Sequence, residues 1–126
     1  MNKIINLLFL RFFLILLFIF VPNFNSAKEI LIYADSISYD KDKNIIAKGK
    51  AKIFQGNNLI LSDLIIVNKN NGKIILPTKF TFKDEENNYF EGENGYFLKN
   101  LEYAEFDNPK IKLKDGSRLI GKKLKR

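Results

Sequence analysis

Residues 33–61 read YADSISYDKDKNIIAKGKAKIFQGNNLIL, and much of this stretch alternates with a period of two. In the first part Ile37 and Tyr39 alternate with serines. In residues 45–54 small or apolar side chains alternate with a series that contains three lysines. Such alternation assigns the two series to opposite faces of a β-strand. Polar residues 40–44 and 55–58 separate the strands as turns, so the stretch predicts strand, turn, strand, turn.

Part of this unit recurs about 28 residues later. Asp35 precedes SISYDK and Asp63 precedes LIIVNK, while a weaker third copy, NGYF, follows Glu93. A repeat of this period with strands inside it indicates stacked β-hairpins within one domain. The alternative is that the hairpins look alike only because all hairpins alternate.

The rest of the chain after residue 27 continues in short alternating segments without a sustained helical period. Residues 73–76 are predicted as a short strand ended by Pro77, because proline has no amide donor. Asp115-Gly116 is a strong hairpin turn. About ten short strands divided by turns predict an all-β fold, which is a sandwich, a roll or a barrel.

Residues 1–27 have the features of a secretory signal peptide. Lys3 and Arg11 give a basic start, residues 12–21 are an unbroken apolar run, Pro22 ends the run, and Ser26-Ala27 offer small residues for cleavage. The sequence therefore predicts a signal peptide at 1–27 and one domain at 28–126. An uncleaved anchor is the alternative, because the apolar stretch is longer if it is counted from Ile4.

Cysteine content and charge limit how the domain can be stabilised and which classes of molecule it could bind. The 126 residues contain no cysteine, so the domain depends on its core and not on disulfides. The formal net charge is +7, or about +5 after residue 27, and residues 110–126 hold eight basic residues against one acid. A basic tail suits nucleic acid, anionic lipid or lipid phosphates, although lysines on solvated faces would give the same count. The export signal argues against nucleic acid.

Catalytic chemistry has little support in the sequence. There is no histidine and no cysteine, so the commonest general base and thiolate chemistry are missing. No phosphate loop and no GxSxG motif occurs. Residues 40–44, DKDKN, have a passing likeness to a calcium loop but lack its glycine and closing glutamate, which favours a hairpin turn. We expect no enzyme activity, no cofactor and no metal.

The remaining feature is a large apolar and aromatic series that alternation assigns to one face. Its members are Ile37, Tyr39, Ile53, Leu59, Leu61, Ile65, Val67, Phe80, Phe82, Phe90 and Phe97. These side chains either fill an ordinary closed core or line a groove between two splayed sheets. Alternation alone does not separate the two interpretations.

The order of these pieces resembles the OstA-like domains of lipopolysaccharide (LPS) transport, a family that includes the bridge protein LptA and the N-terminal periplasmic domain of LptD. The matching residues are Ala34-Asp35, Ile37, Tyr39-Asp40, Asn44, Ala47, Gly49, Ala51, Ile53, Leu61, Asp63, Ile65 and Asn71-Gly72. The resemblance implies a twisted, V-shaped β-jellyroll in the periplasm, associated with the outer membrane. It also implies that the eleven apolar residues shield the acyl chains of lipid A.

The resemblance further implies that terminal strands join other OstA-like domains, or further copies of this chain, edge to edge. Residues 113–119, LKDGSRL, resemble the end of the LptD periplasmic domain. The chain is therefore expected to be either a stand-alone bridge protein or the N-terminal part of a split or truncated LptD. In the second case an outer-membrane barrel component is a partner. A structural or interaction β-sandwich with a closed core, and polyanion binding through the basic C-terminal tail, remain the alternatives.

Overall fold

The computed structural model describes residues 29–98 and 101–126, and this part of the chain is all-β. The nine strands are β1 Ile30–Tyr33, β2 Ser36–Tyr39, β3 Ile45–Gln55, β4 Asn58–Val67, β5 Ile74–Lys83, β6 Tyr89–Leu98, β7 Tyr103–Lys112, β8 Arg118–Ile120 and β9 Lys123–Lys125. The predicted signal peptide at 1–27 lies outside the described residues. Within the described ranges, no helix is long and apolar enough to cross a membrane.

All nine strands belong to one open antiparallel sheet with the order β1-β3-β4-β5-β6-β7-β8. At one end β1 and β2 pair with different parts of β3, and at the other end β8 and β9 pair with different parts of β7. Consecutive long strands are neighbours because two-stranded hairpins need only short turns.

Register shifts cross the middle of the sheet from strand to strand. They lie between Lys48 and Ala51 on β3, between Ser62 and Ile66 on β4, and between Leu76 and Lys79 on β5, and two more follow on β6. Bulges of this kind bend a strand and increase its twist. The line of shifts divides the sheet into a β1 half, which contains β1 and β8, and a β2 half, which contains β2 and β9.

The prediction that Pro77 ends a strand was wrong. Strand β5 runs through it from Ile74 to Lys83, and Pro77 lies inside the register shift. A bulge tolerates a residue without an amide donor because ladder pairing is already interrupted there.

Aromatic contacts show that the two halves fold onto each other. Phe82 in the β1 half pairs with Phe90, and Phe97 in the β2 half follows Phe90 by seven residues on β6. An uninterrupted strand would separate positions 90 and 97 by about 23 Å. The ring centroids of Phe82 and Phe97 are nevertheless 5.0 Å apart. The bend therefore brings the inner faces of the two halves together around an apolar interior, while the strand order of the sheet stays open.

Strand pairing places the three copies of the predicted repeat in the same half of the sheet. Ile37 and Ile65 both pair with Ala47, so the SISY and LIIV segments flank the same part of β3. Tyr96 of the third copy pairs with Ile75, which also pairs with Ile66. All three copies thus belong to the β2 half, and each begins beside the line of shifts.

Candidate functional site

The interior between the two halves contains most of the predicted apolar residues. The ones with buried side chains are Ile53, Ile65, Val67, Phe80, Phe82 and Phe97, and Phe90 packs against them while partly buried. Ring pairs such as Phe80–Phe97, with centroids 5.9 Å apart, fill the space between the halves. In this structure the interior is therefore occupied by the protein's own side chains.

Leu59 and Leu61 do not belong to this interior, and their predicted position was wrong. Leu59 pairs with Phe54, Leu61 pairs with Lys52, and both lie on the opposite, outer face. Ile60 lies between them on the inner face and is fully buried. Residues 59–61 are three consecutive apolar residues, so they place apolar side chains on both faces of the strand. The local sequence therefore has no alternation that shows which face is buried.

Ile37 and Tyr39 are on the inner face, but they are not covered. They pair with Ala47 and Ile45, which share the core side of the sheet. Their side chains are 50% and 66% exposed. Ile30, opposite the buried Gln55 on β3, is also exposed. We call Ile30, Ile37 and Tyr39 the inner rim, because the apolar interior reaches solvent there.

Several interior residues were not among the predicted ones. They are Ala47, Ala51, Ile60, Ile74, Leu76, Leu101, Ala104 and Phe106. Phe106 lies over two glycines of β6, since a Cβ added at Gly92 or Gly95 would come within 2.3 Å of its side chain. The pair of glycines in an otherwise regular strand was the signal in the sequence for this close approach.

A cavity of about 550 Å³ opens at the end of the β1 half. Phe82, Phe90 and Leu101 form its apolar part, while its polar lining includes Asp84 and Arg126. Its volume falls in the range of small-molecule sites. The cavity gives the interior a second contact with solvent.

A larger cavity of about 780 Å³ lies against the outer face of the β1 half. Its lining includes the four lysines Lys50, Lys52, Lys79 and Lys110 and the three acidic residues Asp63, Glu91 and Glu93, with Leu61 and Thr81 between them. This groove is separate from the interior because its charged residues occupy the opposite face of the same strands.

The C-terminal segment is not a free basic tail, because residues 110–126 include the end of β7 and all of β8 and β9. Lys123 Nζ lies 2.9 Å from Glu105 Oε1, and Tyr96 Oη donates to Glu105 Oε2 at 2.9 Å. The hydrogen bond from Lys123 lowers the pKa of Glu105 below its ordinary value, and the bond to Glu105 raises the pKa of Tyr96. These contacts attach β9 to the sheet.

The DKDKN segment is a turn, as the sequence favoured. Asp40 Oδ1 accepts from the backbone amides of Asp42 and Asn44, and the bond from Asn44 lowers the pKa of Asp40. Asp84 makes the same contacts with residues 86 and 88. In the described ranges no group of three or more acidic residues is arranged to hold a metal ion.

Comparisons of the sequence with protein-family models and with curated proteins do not assign it to a family. No protein-family model matches the chain, and a search of curated proteins gives no match.

Proposed function

We propose that the protein is an exported, non-enzymatic module of LPS transport and assembly in the periplasm, with an OstA-like, V-shaped jellyroll architecture. In this proposal it shields the acyl chains of lipid A between the two halves of its sheet and passes LPS towards the outer membrane. The observation that carries the proposal is the inner rim. Apolar side chains continue from the buried interior to Ile37 and Tyr39, which are exposed on the same face.

The energetics need no catalytic group. Burying an acyl chain is favourable by about 0.8 kcal/mol per methylene. Because the interior is filled by side chains such as Phe82 and Phe97, an acyl chain that enters at the inner rim has to displace ring contacts. The partners of the protein in this proposal are LPS and neighbouring OstA-like domains.

A closed-core structural or interaction module is the second candidate, and the burial of the interior favours it. Ile53, Ile60 and Ile65 have no exposed surface. A core packed to this degree needs no ligand to be stable. The two candidates differ in whether lipid reaches the inner rim.

Photo-crosslinking tests the proposal on a single strand. Tyr39 and Ser38 are adjacent and both exposed, but Tyr39 is on the inner face and Ser38 is on the outer face. A photoreactive phenylalanine analogue at Tyr39 should capture LPS in a Gram-negative cell, and the same analogue at Ser38 should not. Because both side chains are exposed, neither replacement disturbs the core.

Two outcomes would contradict the transport proposal. Equal capture from both positions would mean contact without a preferred face. Capture from neither position, in a protein that circular dichroism shows to be folded, would support the closed-core candidate.

A further inference from the structure

We propose that the outer face of the β1 half binds the surface of an anionic lipid bilayer. This face combines apolar and basic side chains from seven neighbouring strands. We call it the basic–aromatic face, and its members are Leu31, Tyr33, Lys50, Lys52, Phe54, Leu59, Leu61, Asp63, Lys79, Thr81, Lys83, Tyr89, Glu91, Glu93, Lys110, Lys112, Arg118 and Ile120.

Strand register aligns these residues in rows across the sheet. In one row Tyr33 pairs with Lys52, which pairs with Leu61, and the row continues through Thr81, Glu91 and Lys110 to Ile120. Directly opposed residues share one face of a sheet. The apolar and basic positions are therefore adjacent, and do not form two separate patches.

The apolar part of the face is exposed. Tyr33 is 55% and Ile120 is 80% exposed, and Leu31, Leu61 and Tyr89 are exposed as well. The ring of Tyr33 packs edge to face on Phe54, with centroids 5.8 Å apart. Tyrosine suits a membrane interface, because its ring is apolar and its hydroxyl is polar.

The charged part complements an anionic surface. The face carries seven basic and three acidic residues. Within the described ranges, none of the four lysines that line the 780 Å³ groove forms an ion pair with a carboxylate. Glu93 instead accepts a hydrogen bond from Asn108. The groove lysines are therefore available to lipid phosphates.

The same charge argues against a second copy as the occupant, because two faces with an excess of positive charge repel each other. A bilayer with anionic head groups supplies both phosphates for the lysines and an apolar layer for Leu31 and Tyr33. Each lysine near such a surface increases binding by about fivefold. This proposal concerns the face opposite the inner rim, so its failure and that of the transport proposal are independent.

The test uses the predicted mature domain, residues 28–126, so that the apolar run at 12–21 cannot bind the vesicles. The sequence contains no cysteine and so accepts a single label. An environment-sensitive dye is attached to Ile120→Cys on the basic–aromatic face or to Asn70→Cys in a turn beyond the β2 half. The vesicles contain phosphatidylcholine with or without phosphatidylglycerol. We expect the dye emission to shift to the blue at position 120 and not at position 70. The shift should require phosphatidylglycerol in the vesicles, and added salt should reverse it.

A matched pair of charge variants completes the test. Lys52→Glu with Lys110→Glu should raise the lipid concentration for half-maximal response at position 120 at least tenfold. Lys41→Glu with Lys69→Glu has the same change in net charge, lies in turns of the β2 half, and should have little effect. Equal responses at both labels, or equal effects of both double variants, would overturn the proposal. A blue shift that grows with protein concentration and without vesicles would assign the face to a second copy.

Discussion

At the scale of single residues, the close approach of β7 to β6 depends on two glycines of β6, which have no side chains. Phe106 covers Gly92 and Gly95, and its ring lies 5.0 Å from that of Phe80. A Cβ at Gly92 would lie 2.2 Å from a ring carbon of Phe106. A methyl group at Gly92 would therefore displace this ring, and one at Gly95 would displace the Cβ of Phe106 and the backbone of β7.

Gly92→Ala should destabilise the protein by about 1–3 kcal/mol, which is the usual effect of overpacking a core. Gly121→Ala is the control, because its Cβ would be 3.5 Å from the nearest atom, in Pro109. We expect the control to stay within about 0.5 kcal/mol of the parent. Urea unfolding followed by circular dichroism measures both, and equal stabilities would contradict the packing argument.

At the scale of elements, each terminal strand has one edge that pairs with no other strand of the described part of the chain. Gly121 N–H donates to Pro109 C=O, and Leu113 N–H donates to Ser117 C=O. Hydrogen-bonded and non-bonded pairs alternate along an antiparallel ladder. Leu119 N–H therefore points to β7, and Ile120 N–H points away from the sheet. Association through β8 would use the outward-pointing Ile120 N–H.

If the domain joins other domains through β8, Ile120→Pro should prevent association and leave the sheet content unchanged, because it removes only an outward donor. Leu119→Pro removes a donor of the native ladder and should lower stability as well. Sedimentation velocity measures association, and thermal unfolding measures stability. An Ile120→Pro protein that still associates would exclude β8 as the docking edge.

At the scale of the whole molecule, we expect the two halves of the sheet to unfold as one unit, because they share aromatic contacts. Phe82 contacts Phe90 in its own half, with ring centroids 5.4 Å apart, and Phe97 in the other half. A side chain shared in this way couples the two halves. The unfolding of either half then exposes the interior face of the other.

Phe82→Ala should cost about 3–5 kcal/mol and preserve a single unfolding transition. Phe54→Ala is the control, since this ring is half-buried on the outer face and should cost less. Two resolved transitions in either variant would mean that the halves fold independently. Denaturant unfolding monitored by tyrosine fluorescence and by circular dichroism distinguishes these outcomes.

The sequence by itself determined the all-β class and local turns such as DKDKN. Alternation at residues 45–53 and the DKDKN turn depend on neighbours within a few residues, so they can be recognised without the fold. Most of the predicted apolar series also proved to be interior. The sequence did not assign Leu59 and Leu61, because a run that is apolar on both faces has no local preference.

Only the tertiary structure decided how the sheet bends and what the bend covers. Pro77 lies within a strand because register shifts on neighbouring strands coincide there, and such coincidence is not local. Ile37 and Tyr39 have the same pattern as buried residues, but β2 lies at the edge of the sheet, where none of the described elements covers them. Exposure depends on contacts between distant parts of the chain, and alternation records only which face a side chain occupies.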